Sequence, residues 1–215
     1  MATLVLVIIS FAGCTDDVTS DNQSKVAYRE GVDLEELYLT MINSESYITA
    51  EEKSNIFFEK LNFTGDITEI DTEARLFLWI SSNLSSTHFT SVSEAQSYWE
   101  EAKSFRVVSI EENIGFYEAM DGRTNETKDL IIQYDPIIQE IITVPFSDCK
   151  EDLDSCIDSA TSQFVSDVAV IASSYLGGVN DASVTAAAIL LVTETFTTSV
   201  GHCANNYVGC VLGAE

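Results

Sequence analysis

The sequence predicts a mainly α fold, in which a helical domain leads into a long antiparallel helical hairpin stapled by two disulfides. Three observations carry that expectation. Only 2 prolines occur in 215 residues, which favours long helices over a sandwich full of turns. Four cysteines stand in two pairs of identical spacing, Cys149-x6-Cys156 and Cys203-x6-Cys210. Both Cys149 with Cys210 and Cys156 with Cys203 are centred on position 179.5, inside Gly177-Gly178-Val179-Asn180-Asp181. Glycines there end one helix, and Asn or Asp caps the next.

Composition narrows the function. The chain carries 10 Lys and Arg against 35 Asp and Glu, a net charge of −25. That balance argues against nucleic-acid binding, which needs clustered cations. With 46% hydrophobic residues the chain buries a core and is not an acidic disordered tail.

The N-terminus reads as a targeting segment. Residues 4–11 (LVLVIISF) are an apolar run too short for a permanent span, followed by Ala12-Gly13-Cys14-Thr15-Asp16-Asp17. Small residues before a cysteine whose thiolate accepts a diacylglyceryl group resemble the lipobox of bacterial lipoproteins, with Phe11 where Leu is usual. The acidic pair after Cys14 resembles the export signal of surface lipoproteins in Bacteroidota. No Lys or Arg precedes the apolar run, unlike an ordinary signal peptide. The rival reading is a buried N-terminal strand that ends in cysteine. The lipobox implies a signal peptide over 1–13, lipidation at Cys14 and an envelope location. Residues 14–25 are then a solvated acidic tether. Lipidation also resolves the odd cysteine count, since four of 5 remain to pair in an oxidising compartment.

Residues 26–147 carry helix patterning. Asp33 precedes Leu34, Leu37, Tyr38 and Met41 at helical spacing. Thr49-Ala50-Glu51-Glu52 reads as a capping box opening a helix with Ile56, Phe57, Lys60 and Leu61. Asp71-Thr72-Glu73 caps a third helix carrying Ala74, Phe77, Leu78 and Trp79. Ser91-Val92-Ser93-Glu94 is a second box, ahead of Ala95, Tyr98, Trp99, Ala102 and Phe105. Residues 105–110 (FRVVSI) suggest a short strand, and residues 111–120 a helix stopped by Asp121-Gly122. Residues 130–144, with Pro136, read equally as helix pieces or strand. A domain boundary is expected near Pro145.

Residues 48–61 (ITAEEKSNIFFEKL), with Phe77 to Trp79 beyond, resemble the helical N-terminal part of the bacteriocin fulvocin C-related proteins of Bacteroidota. Glu51, Glu52 and Lys53 lead there into an aromatic and a leucine, as into Phe57 and Leu61 here. The resemblance implies lineage, not killing activity: a fulvocin-like C-terminus would be denser in cysteine than this twin C-x6-C.

Residues 148–215 form the predicted hairpin. Pairing inside one C-x6-C fails, because seven helical residues rise about 10 Å while bridged α-carbons lie within about 7 Å. The bridges therefore cross between arms. Zinc is the rival use of four cysteines, but these spacings spread the sulfurs along the helices. The same register sets Val170 opposite Ile189, Gln163 opposite Phe196 and Ala160 opposite Ser199, with a stripe of Phe164, Val168, Ile171 and Tyr175. Residues 186–192 (AAAILLV) are apolar all round, for burial or a membrane, and Asn180 and Asp181 interrupt any longer run.

No catalytic motif is recognisable. His88 lies in a polar loop and His202 beside Cys203, with no spacing that makes a triad or metal pair. The acidic stretches 121–125 and 148–154 do not match a calcium loop. No cofactor and no metal are expected. The leading expectation is a lipid-anchored envelope protein, held to the membrane through Cys14, with a non-enzymatic binding or scaffolding role toward a protein or glycan. The alternative is a secreted antagonist whose released C-terminal hairpin acts on a competitor's membrane. Its acidity counts against that, since membrane-active helices are usually cationic.

Overall fold

Side-chain caps open most of the helices. In the computed structural model, which describes residues 33–143 and 148–213, the Asp33 carboxylate accepts the backbone N–H groups of Glu35 and Glu36 and opens α1, Leu34–Ile42. Ser44 accepts the N–H of Tyr47 and opens α2, Glu45–Leu61. Thr72 opens α3, Glu73–Asn83, and Ser91 opens α4, Val92–Glu112. Then follow α5 (Ile114–Met120), α6 (Thr124–Tyr134) and α7 (Pro136–Ile142). Asp135 caps α7 through two 3.0 Å bonds, and Pro136 sits in the first turn, where its missing N–H costs nothing. The long helices α8 (Asp148–Leu176) and α9 (Ala182–Gly213) complete the chain. No strand occurs among the described residues. Residues 1–32, including Cys14, the expected signal peptide and the tether, lie outside them, as does the expected boundary at Pro145.

α4 is the central element. α2 lies along one side of it and α9 against another, while α6 packs on α8 and α1 on α5. Cross-pairs give the α2–α4 direction. Lys60 meets Glu94 at 3.0 Å, Lys53 meets Glu101 at 2.6 Å and Glu51 meets Arg106 at 2.6 Å, so the two run antiparallel. Between them an aromatic cluster forms, in which the Phe57 and Trp99 ring centroids lie 5.0 Å apart. Leu76 and Ile80 of α3 and Leu190 and Leu191 of α9 close over it. Helices on both sides of residues 144–147 thus share one core.

The hairpin has its expected form. Cys149 bridges Cys210 with α-carbons 6.0 Å apart, and Cys156 bridges Cys203 at 5.7 Å. Gly178 takes φ +71, a conformation that favours glycine, and the Asp181 side chain caps α9 through Val184 N–H at 2.8 Å. In the chain-entropy model the outer crosslink stabilises by about 4 kcal/mol. Bridges of this kind point to an oxidising, extracytoplasmic environment.

Several local expectations are corrected. The Thr49 box lies inside α2, which already starts at Glu45. Residues 105–110 are not a strand but the continuation of α4, because burial of every third or fourth residue against α2 and α9 overrides β propensity. α3 packs through Leu76 and Ile80, leaving Leu78 67% exposed, and Ile56 of α2 also faces outward. In the hairpin, Gln163 is exposed and bonds Asp167, while its neighbour Phe164 stacks on Phe196 at 4.6 Å. Val170 is 65% exposed and does not face Ile189. A row of every seventh residue lags about 20° per heptad around a straight helix, so the buried face moves to Val165, Val168 and Ala172.

The apolar stretch of α9 also exceeds the expected seven residues. Ala182–Leu212 is long and apolar enough to cross a membrane by length and composition, with a mean hydropathy of 1.4. Its first half is nonetheless packed inside the protein, where Ala186 and Leu190 are fully buried.

Candidate functional site

Along α4, Ala95, Trp99, Ala102, Arg106 and Ser109 recur at helical spacing and are all buried. Arg106 therefore occupies a slot that would ordinarily be apolar, and it is 1% exposed. A buried charge needs a partner, and Glu51 supplies one carboxylate oxygen 2.6 Å from Nη2. The guanidinium also sits 5.6 Å from the centre of the Tyr47 ring. Among the described residues its Nε–H has no acceptor, and the buried hydroxyl of Ser109, one turn further on, has no partner.

A cavity of about 170 Å³ opens beside Arg106. Every described α-helix except α3 contributes to it, together with Asp135 in the turn before α7. Its apolar walls include Met41, Phe116, Ile131, Val168, Ile189 and Phe196, and its polar groups include Glu51, Tyr117 and Asp135. Burial works against the charged form of Arg106, but Glu51 and the neighbouring phenols outweigh it and hold the pKa above its ordinary value. Burial raises the phenols of Tyr38, Tyr47 and Tyr117. It also raises the Asp135 carboxyl, with a further push from Glu51, although two backbone N–H groups pull the other way. The site holds a fixed cation and neutral phenols in apolar surroundings.

A second cation is buried one turn earlier on α4. The Lys103 ammonium lies 3.0 Å from Glu73 and 2.8 Å from Glu100, and the Trp99 indole N–H donates to the same Glu73 oxygen at 2.9 Å. Burial opposes the charge on Lys103, and the two carboxylates more than restore it. Every partner there is present.

The residues singled out from sequence lie elsewhere. Cys149, Cys156, Cys203 and Cys210 form the bridges at the far end of the hairpin, Gly177 and Gly178 form its turn, and His88 and His202 are exposed. The thiolate set that zinc would need is consumed by the bridges. Among the described residues, no group of three or more His, Cys, Asp or Glu is placed to hold a metal. Sequence reasoning missed Arg106, although one signal was available: a charged residue four positions after Ala102 on the stripe begun by Ala95 and Trp99.

No protein-family model, curated protein or solved structure matches this chain.

Proposed function

We propose that this is an exported envelope protein, anchored by lipid on Cys14, with a non-enzymatic binding role. The observation that carries the binding role is the cavity around Arg106. There a buried guanidinium stands beside largely apolar walls, an arrangement suited to a ligand. Export is supported independently by the two interhelical disulfides. A protein or glycan at the cell surface remains a further candidate partner. The site has no nucleophile paired with a base, so binding is the simpler use of it.

The antagonist reading rests on the length and apolar character of α9. Against it stands the share of α9 in the aromatic core through Ala187, Leu190 and Leu191. Releasing the hairpin would strip that core.

Intact mass of the native protein, without reductant, separates the two. The expected result is a membrane form that begins at Cys14, carries a diacylglyceryl group and lacks four hydrogens. An oxidised C-terminal fragment in the medium, with no lipidated form, would replace this reading by the antagonist one.

A further inference from the structure

Within the binding role proposed above, we infer that the cavity beside Arg106 takes a small organic cation, a protonated amine on an apolar body, with Asp135 as its counter-ion. Size is the first constraint. A dry cavity of about 150 Å³ is enough to take up benzene, so about 170 Å³ suits an amine built on one ring. Entry is open, because Asn55, Ile137 and Thr197 on the lining are exposed. The walls come next. Tyr38, Tyr47, Phe116, Tyr117, Phe164 and Phe196 all line the cavity, and aromatic rings attract cations through their π faces.

Charge then selects the head group. The charged residues on the lining are Glu51, Arg106 and Asp135, two carboxylates against one guanidinium. Arg106 is 1% exposed and its charge is matched by Glu51 at 2.6 Å. That leaves Asp135 without a cation among the described residues. Its Oδ1 accepts the Ile137 and Ile138 N–H groups, and no described residue bonds its other oxygen. Burial and then the charge of Glu51 raise the Asp135 carboxyl, while burial and then Asp135 raise the Tyr38 phenol. Tyr38 is only 6% exposed, so the Asp135 charge is felt on the buried side of the cavity. An anion would add a third negative group there, in a chain of −25. A neutral molecule would leave the surplus charge in place. A protonated amine cancels it and donates N–H to a carboxylate, without disturbing any bond already made.

The test uses the full oxidised protein and three probes of matched size: benzylamine, which is protonated at neutral pH, benzyl alcohol and benzoate. Affinity is measured by titration in ¹⁵N NMR, with the Ile137 and Ile138 amides, which donate to Asp135, as local reporters. The expected result is that benzylamine binds about tenfold or more tightly than benzyl alcohol, the range of a desolvated cation contact, and moves both amides. Asp135→Asn keeps the cap on α7 and should bring benzylamine down to the affinity of benzyl alcohol. Asp129→Asn, at an exposed position of α6 outside the lining, removes the same charge and should leave binding unchanged. Equal binding of benzylamine and benzyl alcohol would overturn the inference and leave the binding role standing. Tightest binding of benzoate would do the same. If Asp135→Asn weakened benzylamine no more than Asp129→Asn, the preference would be general attraction toward an acidic chain, and the inference would fall. Failure of all three probes to bind would overturn the use of this cavity altogether, whereas the envelope reading is decided separately, by the intact mass.

Discussion

Two cations three residues apart on α4 are buried in opposite ways. Lys103 is enclosed by Glu73, Glu100 and the indole of Trp99: it pairs with both carboxylates, and the indole N–H donates to Glu73. Among the described residues, Arg106 has a single carboxylate from a helix 55 residues away, an unpaired Nε–H and a cavity at its side. The difference separates structural from available polarity. A fully satisfied buried network holds elements in register and has nothing left to offer a ligand. An incompletely satisfied one leaves a buried donor whose desolvation is not repaid.

The comparison breaks first at the carboxylates. Glu51→Gln leaves the Arg106 charge buried with only a neutral partner, and should cost about 3 kcal/mol in chemical denaturation. Glu73→Gln leaves Lys103 with Glu100, at a half-open edge of the cluster, and should cost about 1 kcal/mol or less. Equal losses would mean that the two sites do not differ as described. Next in size is Ser109→Ala. It removes a buried hydroxyl without a partner and should raise stability by about 1 kcal/mol, where a serine in a satisfied network would lose stability.

Proton linkage sharpens the comparison further. Burial holds the Asp135 carboxyl above its ordinary value, so its folded pKa exceeds the unfolded one and the protonated form favours folding. That contribution is complete below the usual aspartate range and is lost as pH rises through the folded value. Asp135→Asn keeps the cap on α7 and should raise Tm at neutral pH, with the gain vanishing near pH 3. Glu94, at the start of α4, behaves oppositely. The Thr90 hydroxyl and N–H, and then Lys60, lower its pKa to about 2, so its contribution is present above the usual glutamate range and fades as pH falls toward about 2. Glu94→Gln should lower Tm slightly at neutral pH and have no effect near pH 2.

Legibility in the sequence followed the range of the interaction. Asp33, Thr72 and Ser91 open helices through bonds two or three residues long, and their motifs read correctly. The bridges span 61 and 47 residues, yet they too were readable, because two straight helices joined by one turn convert position along the chain into position in space. Thr49 misled for the converse reason. Its box is a valid local signal, but α2 already has a cap at Ser44, and Glu51 is drawn to Arg106 on another helix. Residues 105–110 misled because valine and isoleucine carry strand propensity, whereas contacts with α2 and α9 decide their conformation. The Arg106 cavity needs every described α-helix but α3 to meet, and no spacing within one of them encodes that meeting.

The paired bridges have a consequence for the covalent graph of the chain. They draw two nested rings, closed through Cys149–Cys210 and Cys156–Cys203, with the exposed turn at 177–179 inside both. A protease that nicks that turn separates nothing: the two halves stay joined by two sulfur bonds until a reductant arrives. Only a cut ahead of Cys149, outside both rings, frees the hairpin, and it frees both arms together. Non-reducing and reducing gels of a lightly digested sample would therefore display different molecules, one intact in size and one in pieces.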